Sequence, residues 1–513
     1  MVKLKNFWCA CAVFSVSAAA LADQLERASD LASKLDPFMA EMEASPLAPP
    51  SYSLVIASGN QFLYSRLHGD RILGGGQPVT MDTPFYIASV TKSFVGLLAA
   101  KLDADGVLSL DAPLADLWPT LDLPAPIDPA SITMRDLLSH TAGLENDPLV
   151  VRTAYIGGTD VDAYETILEE HSKAIERSFS YDNLGYLIYS AVLEKQTGRS
   201  WKEWLKTDIQ APLGLSTATS SPRAISTDKI ALGNHFSPVS KAGWEPARAK
   251  ADDQMHPAGG LFISTGDAVR WLQANLNQSQ FGSSVYGVAH AAYAERSPAK
   301  KYADMACSGY GLGWQTCDYS GHRVFYHGGT YDGMMIFMAF LPDDDLVISS
   351  INGARAYGWT FGWYSLQQGL DYALGLEKAD DNATRRLKGR VESQQGYLRY
   401  RVKIREQALR GATTPQAAKL RADLIGSYIS PAYGASSICD IDGKLTLTIG
   451  KFSAEVVAGF EDKAFVMERA YGEPDKLELS RGEGIGALSF QWEGGTFHKR
   501  AGKACVGAEV QSR

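Results

Sequence analysis

Ser89-Val90-Thr91-Lys92 places a hydroxyl and an amine three residues apart. On a helix that spacing puts both side chains on one face. A serine hydroxyl is a weak nucleophile that needs an adjacent base. A lysine taken out of water shifts toward its neutral form, which is such a base. The pattern alone is not selective, because Ser226-Thr227-Asp228-Lys229 and Ser297-Pro298-Ala299-Lys300 repeat it. Only Ser89 opens a long apolar helix, expected over Ser89 to Asp105, with Phe94, Leu97, Leu98 and Leu102 on one face. A serine at a helix start also meets backbone N–H groups aimed at developing negative charge.

Two further groups extend this chemistry. Tyr181-Asp182-Asn183 is the chain's one Tyr-x-Asn. Its phenol can relay protons if nearby cationic charge favours phenolate, and its amide can hold the lysine or a substrate carbonyl. His327-Gly328-Gly329 is also unique, and its glycines let a strand edge approach a substrate closely. Each group taken singly also fits a purely structural role: a core tyrosine, or a glycine bulge. The combination, in this order, points to nucleophilic acyl transfer.

These residues need a scaffold. Leu25, Ala28, Leu31 and Leu35 recur at near-helical spacing over Asp23 to Glu43, with Pro37 placed to kink or divide the helix. Ser51 to Ala57 and Gln61 to Leu67 form a predicted hairpin around Ser58-Gly59-Asn60. A second apolar helix is expected over about Tyr186 to Gly198, and Glu145 to Ser180 has the mixed polarity of a lid. Gly309 to Phe340 and Asp345 to Ile351 read as strands, and Trp359 to Leu374 as a helix packed on their sheet. The fold class is α+β: an antiparallel sheet flanked by helices, plus a helical region. Residues 377–421 form a charge-dense segment expected as a solvated helical linker, with an anionic-surface contact as the alternative. Residues 422–513 alternate or run apolar between Gly and Asp turns, as in a small all-β barrel or sandwich.

The chain has 513 residues, enough for two or three domains, with 45% hydrophobic and 21% charged residues. Its formal net charge is -9 and no long basic run stands out, which excludes nucleic acid as an expected partner. Lys3 and Lys5, the apolar run Phe7 to Ala20, and Ala20-Leu21-Ala22 have the form of a signal peptide over residues 1–22. The chain is therefore expected to be exported, periplasmic or secreted, with no stable membrane span. Residues 23–376 would then be the catalytic domain. Cys307–Cys317 and Cys439–Cys505 would each pair within one proposed domain; four free thiols is the alternative. The nine histidines have no ligand spacing, so no metal is expected, and the oligomeric state stays open.

The set resembles the serine β-lactamase and penicillin-binding-protein superfamily, in the branch similar to class C β-lactamases, D-aminopeptidases and related esterases. The resemblance runs over roughly Ser51 to Leu374. It also rests on Leu137-Leu138-Ser139-His140-Thr141-Ala142-Gly143-Leu144, Pro257-Ala258-Gly259-Gly260-Leu261 and Gly309-Tyr310-Gly311-Leu312-Gly313-Trp314. It implies Ser89 as nucleophile, Lys92 as its activator and Tyr181 as general base and then acid. It implies Asn183 on Lys92 and the substrate amide, and His327 with Gly329 along the opposite wall. The N–H groups of Ser89 and Thr330 would form the oxyanion hole, and no cofactor is implied. His140 is expected to be structural. Class C β-lactamases carry Lys-Thr-Gly where this chain has His327-Gly328-Gly329, and a histidine is only partly charged at neutral pH. The β-rich end resembles the lipocalin-like or barrel attachments of such peptidases. Hydrolysis of a small or D-residue-containing peptide therefore ranks first, ester hydrolysis second and β-lactam hydrolysis third. A sensor that acylates without turnover is the non-enzymatic alternative.

Overall fold

The computed structural model describes residues 18–500, apart from 227, 237–242, 297–303, 356, 410–412, 460–462, 467–474 and 482–487. Residues 1–17 of the expected signal segment and the Ser297–Lys300 pattern lie outside the described residues.

An eight-stranded antiparallel sheet organises the larger body. Across it the strands run Phe62–Gly69, Ser51–Ala57, Leu346–Asn352, Met334–Leu341, His322–Tyr331, Gln315–Tyr319, Ala306–Tyr310 and Ala294–Glu295. Two adjacent inner strands, Met334–Leu341 and Leu346–Asn352, are buried along their whole length. Strand side chains alternate between faces, so a sheet covered on both sides reads as a continuous apolar run. Ile336, Met338 and Phe340 share one core with Phe94 and Trp271, whose rings stack 3.7 Å apart. Met335, Phe337 and Ala339 share the other with Leu31, Leu35, Phe361 and Leu366. The second core is closed by the helices Ala18–Glu43 and Gly358–Ala373; Pro37 lies inside the first without dividing it. Cys307 and Cys317 oppose each other on paired strands and form the expected disulfide. Cys439 is also disulfide-bonded. Its expected partner, Cys505, lies outside the described residues.

The charge-dense segment forms one helix, Ala379–Leu409. Its solvated character breaks at Arg386, which is 1% exposed and bonds Asp371 at 2.6 Å, Gln368 at 2.6 Å and the Tyr319 hydroxyl at 3.1 Å. After a further helix, Pro415–Leu424, eight strands from Gly426–Ser430 to Gly495–Lys499 close into a barrel. Closure comes where Tyr428 pairs with Lys499 and Ile429 with His498. Leu445, Leu447 and Ile449 point alternately into its core. Among the described residues, no helix is long and apolar enough to cross a membrane.

Candidate active site

Ser89 sits two residues before the α-helix expected to begin with it. It occupies a 3-10 turn, Ala88–Val90, and the α-helix starts at Thr91 and runs to Ala104. Ala88 has φ +47°, a left-handed conformation that costs a residue with a Cβ on the order of 1 kcal/mol or more. The surroundings hold it there. Strand Pro84–Tyr86 pairs with Phe262–Ser264, and the Ile87 N–H donates to the Leu261 carbonyl at 3.0 Å. Strand His322–Tyr331 then closes on the turn: a Cβ at Gly329 would lie 2.4 Å from the Ile87 oxygen and 3.2 Å from the Ser89 nitrogen. Only glycine permits that approach.

Lys92, one turn on, has no exposed surface. Its Nζ lies 3.3 Å from Ser89 Oγ, 2.6 Å from Asn183 Oδ1 and 3.0 Å from the Ala258 carbonyl. Burial pulls its pKa down to about 7, partly opposed by the Asp182 carboxylate. Three segments far apart in sequence thus surround one amine.

Tyr181 and Asn183 precede the helix Leu184–Thr197, and the Asp182 carboxylate accepts from the Gly185 N–H at 3.0 Å. Behind this loop stands His140, with φ +63° and 2% exposure. The Asp182 N–H donates to His140 Nδ1 at 3.3 Å, and the Ser180 N–H donates to the His140 carbonyl at 2.9 Å. The imidazole centroid is 4.6 Å from that of Tyr181. The expectation of a structural role becomes specific: His140 holds the loop that presents Tyr181. Burial keeps its pKa low, against the Asp182 carboxylate. Tyr181 itself is 46% exposed, with Lys92 Nζ 4.8 Å from its ring centroid.

His327 differs from expectation in its charge. It is buried, and burial together with Lys92 pulls its pKa down to about 3, so it is neutral across the physiological range. Nδ1 bonds the Gly328 carbonyl at 2.7 Å, which leaves Nε2 to accept from the Tyr310 hydroxyl at 3.1 Å. Both ring nitrogens are therefore engaged within the wall. Thr330 lies at the same strand end, its Oγ1 donating to the Met334 carbonyl at 3.1 Å.

Sequence reasoning did not single out Ala258, whose carbonyl meets Lys92, nor Tyr310, although both lie in quoted motifs. It also passed over Lys250, which is 4% exposed and 2.9 Å from the Tyr86 hydroxyl. No motif surrounds Lys250, so no sequence signal marked it. Among the described residues, no cluster of His, Cys, Asp and Glu could hold a metal ion.

The sequence profile of the Beta-lactamase family matches residues 39–351. Penicillin-binding protein 4 of Amycolatopsis lactamdurans is 28% identical over 299 residues, 55% of this chain and 76% of that protein. An unguisins hydrolase of Aspergillus campestris is 26% identical over 289 residues, 52% of this chain and 51% of its own length. The octameric penicillin-binding protein homologue from Pyrococcus abyssi superposes with a TM-score of 0.58 at 20% identity, over 91% of this chain and 99% of that one. The D-amino acid amidase from Ochrobactrum anthropi SV3 gives 0.54 at 21% identity, over 70% and 99%. These two likenesses establish a shared fold.

Proposed function

The chain belongs to the beta-lactamase family, and from that premise we propose an exported serine hydrolase that cleaves amide or peptide bonds through an acyl-enzyme on Ser89. The surroundings of Lys92 carry this reading. A neutral amine has two hydrogens, and Asn183 Oδ1 and the Ala258 carbonyl accept both. Its lone pair then faces Ser89 Oγ at 3.3 Å.

In the proposed reaction Ser89 Oγ attacks the substrate carbonyl carbon and its proton passes to Lys92. The N–H groups of Ser89 and Thr330 receive the developing oxyanion. Tyr181 donates its proton to the leaving amine as the C–N bond breaks, and is recharged from Lys92. A water then passes a proton to Tyr181 as the phenol's own proton moves on to Lys92, and attacks the ester carbonyl carbon; the ester C–O bond breaks, Ser89 Oγ takes its proton back from Lys92, and the acid is released. Neutral His327 supplies no cation for an anionic substrate group, which favours amides over β-lactams.

The test is a panel of D- and L-aminoacyl amides, linear peptides, p-nitrophenyl esters and nitrocefin, followed by kcat/KM and by intact mass. Turnover of amides with a transient adduct, lost in Ser89→Ala, is the expected result. Full turnover by Ser89→Ala overturns the mechanism. A preference for esters or nitrocefin replaces the amide assignment, and an adduct that never decays makes the protein a sensor. Export is tested by N-terminal sequencing of the secreted or periplasmic protein, which should begin at Asp23.

A further inference from the structure

Lys250 is a buried amine to which the proposed reaction gives no role. Its Nζ lies 2.9 Å from the Tyr86 hydroxyl and stands over the Tyr331 ring, 4.1 Å from the centroid. Among the described residues it forms no salt bridge: the Asp332 carboxylate acts on it only at longer range and is itself paired with His235 at 2.5 Å. An isolated buried amine is costly, and an apolar side chain would fill the same space more cheaply. What Lys250 touches suggests why an amine is there.

The Tyr86 hydroxyl in turn donates a hydrogen bond to the Gly259 carbonyl. Gly259 follows Ala258, whose carbonyl accepts from Lys92 at 3.0 Å. Tyr331 follows Thr330, the proposed oxyanion donor, and its ring meets that of Tyr86 edge-on at 5.3 Å. Lys250 therefore stands where the wall carrying the Lys92 acceptor meets the wall carrying the oxyanion donor.

We propose that Lys250 is a positioning residue: through Tyr86 it holds the Ala258–Gly259 segment in register with Lys92, and across its other face it holds Tyr331. The inference rests on the Ser89 acyl-enzyme reading. Lys250 does not touch the reacting atoms; it acts by orienting the carbonyl that turns the Lys92 lone pair toward Ser89.

The test is the pH dependence of Ser89 acylation by a p-nitrophenyl ester in the full-length protein, for wild type, Tyr86→Phe, Lys250→Met and the double variant. Tyr86→Phe removes one hydroxyl and leaves the packing intact, which keeps the test valid if Lys250→Met folds poorly. A carbonyl acceptor favours the charged form of Lys92, so loosening Ala258 lowers that lysine's pKa further. The acid limb in Tyr86→Phe should move to lower pH by about half a unit, with acylation at its plateau about ten-fold slower because the lone pair is misdirected. The double variant should be no slower than the slower single, since both act along one chain of contacts. An unmoved acid limb in Tyr86→Phe, or rate losses that multiply in the double variant, overturns the proposal. Ser89→Ala separates the two levels. Retained acylation there sinks the parent reading, whereas its loss beside an unmoved acid limb in Tyr86→Phe sinks only the role of Lys250.

Discussion

Lys92 Nζ is closer to Asn183 Oδ1, at 2.6 Å, than to Ser89 Oγ, at 3.3 Å. The amide, more than the nucleophile, sets where the amine sits. It also leaves the amine uncharged enough to act, because a neutral oxygen stabilises the ammonium less than a carboxylate would. With Lys92 held near pKa 7, acylation should rise with pH through about 7 as the lysine loses its proton.

Asn183→Asp tests this with a shift of known sign. A carboxylate at the same position favours the ammonium form, so the Lys92 pKa rises and the acid limb moves to higher pH. Well below pH 7 acylation should fall about ten-fold for each unit by which the Lys92 pKa rises, and at pH 7 about five-fold for the first unit. A stopped-flow pH–rate profile with a chromogenic ester checks it, and a limb at the wild-type position would detach Lys92 from the ionisation that controls the rate.

Gly329→Ala should disable the site from outside it. The new methyl would meet the Ile87 oxygen at 2.4 Å and the Ser89 nitrogen at 3.2 Å, both backbone atoms. The strand must withdraw, carrying Thr330 away from Ser89. Losing an oxyanion donor typically costs about 100- to 1000-fold in kcat, and a fall of that order is expected. Gly396→Ala is the matched control: it lies in the Ala379–Leu409 helix with nothing near its Cβ position. It should leave kcat unchanged and stabilise the protein by about 0.5–1 kcal/mol. Steady-state kinetics and thermal melts on both variants give the comparison.

What could be read ahead of the structure was chemistry confined to short spacings. Ser89 and Lys92 are three residues apart, and Tyr181-Asp182-Asn183 and His327-Gly328-Gly329 are contiguous, so their residue types already imply shared surfaces. The sheet was readable for the same reason, since the unbroken apolar run along Met334–Leu341 is local. Long-range neighbours were not. Nothing local ties Lys250 to Tyr86, or Arg386 to Asp371, because each pair is made by the fold. The expected part-charge on His327 failed on burial, which a motif does not record. The turn at Ala88 went unseen because the left-handed position is held by alanine where glycine would have marked it.

Arg386 and Asp371 carry a prediction about stability alone. Both are 1% exposed and bond at 2.6 Å, and Gln368, Tyr319 and, at 3.5 Å, the Asp304 carboxylate also meet the guanidinium. Removing one partner strands a buried charge, which costs about 3–5 kcal/mol. Arg386→Leu should lose that much in urea denaturation, with Ser89 acylation per folded molecule unchanged. Arg386→Leu with Asp371→Leu should lose clearly less than the sum of the singles. Additive losses would mean that the two groups are stabilised independently.

The same pair determines how the role of the barrel has to be tested. Cutting the chain near Glu377 removes Arg386 and strands Asp371, so any loss of function would confuse stability with specificity. A cut after Leu409 keeps the pair and removes the barrel. The barrel docks on the stretch from Asp147 to Gly157: Val151 and Ile156 join its apolar core, and the Lys451 N–H donates to the Ile156 carbonyl at 3.1 Å. Tyr155, between them and the cleft, stacks on Tyr331 at 5.5 Å. The contact thus ends beside the proposed oxyanion strand without reaching Ser89 or Lys92. Truncation should keep Ser89 labelling by a small ester within a few-fold, while shifting the ratio of kcat/KM for longer peptides to that for the ester. Ile156→Asp in the full chain should reproduce the shift by undocking the barrel in place. Complete loss of labelling in a folded truncation would make the barrel part of the acylation machinery itself.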